Sequence, residues 1–361
     1  MYKTFAKATI DLSAVKNNYK RMAEIVGRDV VASAVVKNNA YGLGAKKVSA
    51  ALYEAGCRDF WTAYLKEAVD IRDVLPSDVN IYYFQGFCSS DLEEIKNGNI
   101  IPVVNSLNEF NDIRETDLPF VLHIDTGFTR IGLRLSEINE VLPRLKDSKI
   151  KYIISHLACS NKSHFDYVQK AAFDEVLLKA RKVVDVKAAI AASEIAVLGD
   201  EFAYDLVRIG AFLYGIKTGN VIPQNVVSLQ AKVLQRYEVK KDAHIGYDAT
   251  YTATGNTQIA AISMGYAEGI SRRLSNKGNI LFYDKNGNVY KAKILGRISM
   301  DVLVCDVTNI PADITTVGSD AFLLDSNYSI NEMAQDAETI AYEIVSNIDF
   351  NSARIKVEYK E

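Results

Sequence analysis

Residues 30–36, VVASAVV, form a run of β-branched and small apolar residues broken only by Ser33. Such a run needs cover on both faces, as in a strand of a parallel sheet flanked by helices. It stops at Lys37, and Asn38, Asn39, Gly42 and Gly44 then mark a turn. A lysine at the carboxyl end of a buried parallel strand stands where α/β folds place their chemistry. The same position also suits a surface lysine whose stem lies over the sheet end while its charge stays in water.

The rest of the chain repeats this grammar. A short strand at 8–12 precedes a helix at 13–26, with Ser13 as its N-cap and Val15, Tyr19, Met22 and Ile25 as its apolar face. Apolar strand segments then recur at 31–36, 59–64, 79–84, 100–104, 120–124, 151–155, 188–192 and 206–209. Helical periodicity fills the gaps, for example at 46–55, 65–74 and 167–184. Strands alternating with helices predict parallel βαβ units, and eight such units predict a TIM (β/α)8 barrel. A doubly wound open sheet is the rival, but the chain lacks a GxGxxG fingerprint.

From residue 229 the strands follow one another through turns: 231–238, 258–263, 280–283, 289–295 and 302–307. The segment 284–287, Asp-Lys-Asn-Gly, reads as a hairpin turn, and a helix is expected at 329–346. The fold expected is α/β, with a barrel over 1–228 and a mainly antiparallel β domain over 229–361. The strand at 8–12 precedes the barrel and is expected to pair with the second domain.

Composition narrows the setting. A chain of 361 residues can bury a full core and form two domains. A formal net charge of −3 gives no electrostatic case for nucleic acid or an anionic membrane. Residues 1–8 lack the apolar core of a signal peptide, and no apolar run approaches membrane length. Cys57, Cys88, Cys159 and Cys305 are too sparse for a disulfide framework and lack the pairing of a zinc site. His123, His156, His164 and His244 are likewise too scattered for a metal centre. A soluble cytoplasmic protein is expected.

At the barrel mouth, Lys37 ends the first strand, His156 follows the sixth, Ser193 follows the seventh and Arg208 lies in the eighth. The Ser193 and Gly210 regions fall at the last two strand ends, the usual phosphate corner of such barrels. A lysine amine facing a phosphate corner, with an arginine between, meets the requirements of pyridoxal 5'-phosphate. Each residue has a plainer reading. Tyrosines such as Tyr247 and Tyr266 are common packing residues in strands, and Asp125 with Arg130 could form a structural ion pair. Arg208 is the hardest to dismiss, because an unpaired buried guanidinium is costly.

VVKNNAYGLG resembles the cofactor-attachment motif of bacterial alanine racemases. Seven further segments follow in that family's order: HIDTGFTRIG (123–132), SHLA (155–158), RIGAFLYG (208–215), GYDATYTA (246–253), GYAEG (265–269), GRISMD (296–301) and TIAYE (339–343). The resemblance spans essentially the whole chain. It implies a pyridoxal-phosphate-dependent amino-acid racemase, an isomerase that interconverts L- and D-alanine for peptidoglycan. Lys37 matches the Schiff-base lysine, which is also one of two catalytic bases. Tyr247 matches the second base, which in the family comes from the partner subunit of a homodimer. Tyr41, Ser193, Gly210, Ala211 and Tyr342 match phosphate contacts, His156 the histidine beside the cofactor ring, and Arg208 the arginine at the ring nitrogen. Arg130 matches the arginine near the substrate carboxylate, and Met300 a backbone contact to it, with Asp301 alongside. Tyr266 and Tyr342 match tyrosines that narrow the substrate entrance. The resemblance also leaves room for a racemase of another small amino acid such as serine, or for a non-catalytic pyridoxal-phosphate-binding protein.

Some positions depart from the family pattern. His123 stands where many members carry a carbamylated lysine, and Asn38-Asn39 replaces the commoner Ala-Asp. Asp248 replaces a glycine, and 270–273 lack a frequent proline. The 284–287 hairpin is also longer than usual.

Overall fold

The computed structural model describes residues 6–361, so part of the 1–8 segment read above lies outside the described residues. The chain opens with β1 (Ala6–Asp11), and the helix Leu12–Val26 follows directly. Its cap is Asp11 rather than Ser13. The Asp11 carboxylate accepts the Ala14 N–H at 2.9 Å and the Ser13 hydroxyl at 2.6 Å, so the ionised side chain takes the orphan donors.

The barrel is built from β2 (Val31–Val35), β3 (Asp59–Thr62), β4 (Asn80–Tyr83), β5 (Ile100–Val104) and β6 (Phe120–Asp125). The two-residue strand β7 (Leu133–Arg134) rides on β6. The wall continues with β8 (Ile150–Ile154), β9 (Lys187–Ala189) and β10 (Leu206–Ile209). Eight of these run parallel in the order β10-β2-β3-β4-β5-β6-β8-β9. Beyond the ends of that ladder a single parallel bridge between Ala192 and Arg208 brings its first and last strands together. β5 and β10 are buried along their whole length, as continuous apolar runs covered on both faces require.

The second sheet contains β11 (Val227–Val239), β14 (Thr257–Ile262), β15 (Asn279–Tyr283), β16 (Val289–Lys293), β17 (Leu303–Asp306), β18 (Asp320–Leu324) and β19 (Ile355–Lys360). The small pair β12 (His244–Ile245) and β13 (Tyr251–Thr252) stands apart. β1 joins this second sheet, antiparallel to β11 and parallel to β19. Where one helix is expected at 329–346 there are two, Ile330–Asp336 and Ala341–Asn347. Glu338, with φ +52, ends the first in the left-handed region. No helix among the described residues is long and apolar enough to cross a membrane.

After Lys37 the backbone takes an unusual path. Asn38, Asn39, Ala40 and Tyr41 all have φ between +52 and +57, one left-handed turn. Non-glycine residues pay about 1–2 kcal/mol each there, less for asparagine, so the turn needs outside support. Glu67 accepts the Asn38 N–H at 2.6 Å, and the Asn39 side chain accepts the Ala45 N–H at 2.8 Å. Tyr359, on β19 of the second sheet, donates to the Leu43 carbonyl at 3.2 Å. Its hydroxyl fills the space that a Cβ on Gly44 would take, and Gly44 has φ +95. The C-terminal strand thus braces the turn that carries the lysine.

Candidate active site

A cavity of about 1130 Å³ opens at the carboxyl ends of the barrel strands. Lys37, Tyr41 and His156 border it, as do Ser193, Arg208, Gly210 and Ala211. Arg130 and Tyr342 complete the expected residues found there.

Lys37 is partly buried and pairs with no carboxylate among the described residues. The nearby Glu67 is committed to the N–H groups of Asn38 and Ala63. Burial first, and the positive charge of Arg130 second, hold the lysine amine below its ordinary range, with Glu67 opposing. Such a lysine is neutral, and so basic, at a lower pH than an exposed one.

Arg208 is 4% exposed. Its terminal nitrogens donate to the carbonyls of Ser155 at 2.6 Å and of Ala189 and Ile190 at 3.1 Å. Nδ1 of His156 lies 3.5 Å away. No carboxylate pairs with it among the described residues, and its Nε has no partner there. Burial and Arg130 push this guanidinium down to about 10, so it stays charged at neutral pH. A buried cation of this kind calls for an acceptor or an anion in the cavity.

His156 is held neutral, pushed down to about 3 by burial and by Arg208 and Arg130. Its ring tilts against Phe128 at 5.6 Å, and the Arg130 guanidinium lies 4.2 Å over the other ring system. Asp125 does not pair with Arg130; its carboxylate accepts the Gly127 and Thr129 N–H groups and shapes the loop between them.

At the neighbouring strand end, that of β10, the Ser193 hydroxyl accepts the Gly210 N–H at 2.9 Å, and short helical turns begin at Ser193 and Ala211. Tyr41 stacks on Tyr214 at 4.4 Å and reaches this corner. A Cβ on Gly210 would stand 2.7 Å from the Tyr41 hydroxyl, so only glycine leaves that space open. Glu194 and Glu343 also border the cavity, with their carboxylates turned to the Gly219 N–H and the Thr339 hydroxyl. Three cations, a hydroxyl and an open glycine corner form a donor set that suits a phosphate-bearing cofactor with an aldehyde for the lysine.

Four expected residues are elsewhere. Tyr247, Tyr266, Met300 and Asp301 do not border this cavity. Tyr247 is 62% exposed and Met300 51%. The loops of Tyr266 and Met300 are joined by N–H bonds from Tyr266 to Ser299 and from Ala267 to Met300. Arg354 ties them further by bridging Asp301 and the buried Glu268. Asp248 has φ +60, which a glycine adopts freely and aspartate tolerates, and it pairs with Arg297 at 3.0 Å.

Two residues that sequence reasoning passed over also matter here. Phe128 sits inside the HIDTGFTRIG segment, and Asn105 lies one residue past the end of β5, a strand-end position of the kind that carries barrel chemistry.

Comparison with known proteins agrees with this geometry. Residues 10–218 match the family described as alanine racemase, N-terminal domain, and residues 226–359 the alanine racemase C-terminal domain. The chain belongs to the alanine racemase family. The alanine racemase of Rickettsia canadensis (strain McKiel) is 36% identical over 350 residues, 94% of this chain and 95% of that protein. That of Brucella suis is 36% identical over 376 residues, 97% of this chain and 93% of the other. Among solved structures, alanine racemase from Bartonella henselae with covalently bound pyridoxal phosphate superposes with a TM-score of 0.89 at 34% identity, covering 99% of this chain and 100% of that one. The biosynthetic alanine racemase from Pseudomonas aeruginosa gives 0.90 at 26% identity, covering 99% and 100%.

Proposed function

We propose that this chain interconverts L- and D-alanine with pyridoxal phosphate held at the barrel mouth. The observation that carries this is one cavity holding both a partly buried, unpaired Lys37 and a buried Arg208 bound only by neutral groups, in a chain of the alanine racemase family. Lys37 would attach the cofactor. Tyr41, Ser193, Gly210, Ala211 and Tyr342 would hold its phosphate, His156 would pack beside its ring, and Arg208 would donate to its ring nitrogen. When bound, the cofactor withdraws the electron pair left when the α-proton departs.

The chain's own groups then divide the proton work. Arg130 would grip the substrate carboxylate, with the Met300 backbone and Asp301 of a second copy beside it, and so fix which faces of the α-carbon are presented. Lys37, with its amine held below the ordinary range, would exchange the proton on one face. A second base must act on the opposite face, and the Tyr247 hydroxyl is the candidate. Because Tyr247 borders no part of its own chain's cavity, it would act in the cavity of a second copy. The unit would then be a homodimer in which the β domain, 229–361, supplies Tyr247 to the partner's barrel, 1–228, while Tyr342 of the same domain stays at its own chain's cavity. Tyr342, with Tyr266 of the second copy, would narrow the entrance and favour a small side chain.

We assign the reaction to the cytoplasm, where D-alanine for peptidoglycan is needed. The test is racemisation by the purified protein with added pyridoxal phosphate, followed by circular dichroism against alanine, serine and lysine. Turnover of alanine with little of serine and none of lysine is expected. Preference for serine would keep the two-base chemistry and change the substrate. Bound cofactor without turnover of any amino acid would make the chain a cofactor-binding protein.

A further inference from the structure

Two loops of the β domain, 265–269 and 299–301, carry Tyr266 and Met300, and a residue outside both ties them into one unit. The Tyr266 N–H donates to the Ser299 carbonyl at 3.1 Å, and the Ala267 N–H to the Met300 carbonyl at 3.0 Å. A Cβ on Gly265 would stand 2.3 Å from the Ser299 oxygen and 2.4 Å from that of Met300, so only glycine lets the loops lie this close. Met300 gives its own N–H to no acceptor among the described residues, which leaves that donor available to a ligand. Behind the pair sits Glu268, buried, with one carboxylate oxygen accepting the Gly265 N–H at 2.8 Å. Its backbone carbonyl accepts the Asp349 N–H at 3.2 Å. Arg354 enters from the segment before β19, outside every motif read from the sequence. Its Nε pairs with the other Glu268 oxygen and its Nη2 with the Asp301 carboxylate. One planar guanidinium thus spans both loops, a geometry its rigid fork supplies and a lysine ammonium matches less well.

We infer that Arg354 is a positioning residue for the second copy's site. It holds Met300 and Tyr266 in the shape that completes that cavity, and it offsets the Asp301 charge beside the substrate carboxylate. An unpaired Asp301 there would repel the substrate, since like charges brought together across an interface are costly. Loss of Arg354 would also leave Glu268 buried without a cation and loosen the Gly265 end of the unit. The inference rests on the reading that these loops serve a second copy's cavity.

In the holoenzyme, Arg354→Met should raise KM for alanine roughly tenfold to a hundredfold, as misplacement of a binding group by about an ångström predicts, with kcat changed less. Arg354→Lys should recover part of that loss. Adding Glu268→Gln to Arg354→Met keeps an acceptor for the Gly265 N–H and removes the stranded buried charge, so the chain folds, yet KM should stay high because Asp301 is still unpaired. With methyl-labelled methionine only five side chains give signals. The Met300 resonance should sharpen toward that of a free side chain in Arg354→Met and return in Arg354→Lys. The decisive step places the substitution in one chain of a mixed dimer. Lys37→Ala and Tyr247→Phe chains refolded together leave one working site, whose β-domain loops come from the Lys37→Ala chain. Arg354→Met in that chain should raise KM roughly tenfold more than in the Tyr247→Phe chain, a difference that a general loss of stability does not produce. Equal effects from the two chains, full recovery of KM by Glu268→Gln, or a Met300 resonance indifferent to Arg354 would overturn the inference. Mixed dimers without activity would instead remove the shared site, and the KM and Met300 resonance of Arg354→Met would still decide whether Arg354 sets the loops.

Discussion

Arg208 and Tyr247 stand at opposite extremes of one proposed site: the first is 4% exposed and held by three carbonyls, the second is 62% exposed and borders no part of the cavity. The contrast extends to their neighbours. The barrel contributes groups fixed before any ligand arrives, such as Ser193 on the Gly210 N–H and Tyr41 stacked on Tyr214. The β domain presents Tyr247, Tyr266 and Met300 on its surface, the last two on loops tied together by Arg354. Charges that bind a cofactor gain most from a dry, preorganised setting, which barrel closure at the Ala192–Arg208 bridge supplies. Rigid aromatic groups left in solvent gain from being covered by a second copy.

The largest effect expected from breaking this contrast comes from the exposed side. Tyr247→Phe should lower racemisation by roughly 10²- to 10⁴-fold, the usual contribution of a positioned proton-transfer group, while the cofactor absorbance of the holoenzyme stays. Equal loss of cofactor would make Tyr247 structural and erase the contrast.

A smaller effect is expected on the buried side. Gly210→Ala places a methyl group 2.7 Å from the Tyr41 hydroxyl, whose ring is pinned by Tyr214. Overpacking of this kind costs about 1–3 kcal/mol, so cofactor retention measured by dialysis should weaken by roughly tenfold or more. Unchanged retention would show that this corner is not the phosphate seat.

The smallest effect concerns acid. His123 and His156 are both held down to about 3, against an ordinary value near 6.5. The unfolded chain therefore takes up protons first, and folded stability falls as pH drops below about 6.5 and goes on falling toward about 3. Each histidine contributes a slope of up to ~1.4 kcal/mol per pH unit in that window. Urea unfolding at pH 7 and pH 5 should show a smaller loss for His123→Gln than for the parent chain. An equal loss would mean that His123 is not buried neutral.

Much of this arrangement was legible in the sequence because buried parallel strands leave continuous apolar runs. The run at 120–124 reappears as Phe120–Asp125, and that at 206–209 as Leu206–Ile209. Strands β18 and β19 were not legible. Asp320–Leu324 is only five residues long, and Ile355–Lys360 mixes charges into a half-exposed strand beside β1. The two helices after Ser329 read as one because their apolar spacing carries through the break at Glu338. The left-handed turn after Lys37 read only as a turn, since its stability comes from Glu67 and Tyr359, far away in the chain. His123 was visible as a departure, but Asn105, whose Oδ1 lies 2.8 Å from its Nδ1, is brought to it only through the pairing of β5 with β6.

The most direct test of a site shared between two copies is to mix two inactive variants. Lys37→Ala and Tyr247→Phe chains, each inactive alone, are unfolded together, refolded with pyridoxal phosphate and assayed for alanine racemisation. Half of the randomly paired dimers are mixed, and each mixed dimer holds one intact site of two, so about a quarter of the parent activity should return. No recovery from well-folded mixed dimers would place Lys37 and Tyr247 in the same chain's site and contradict the account.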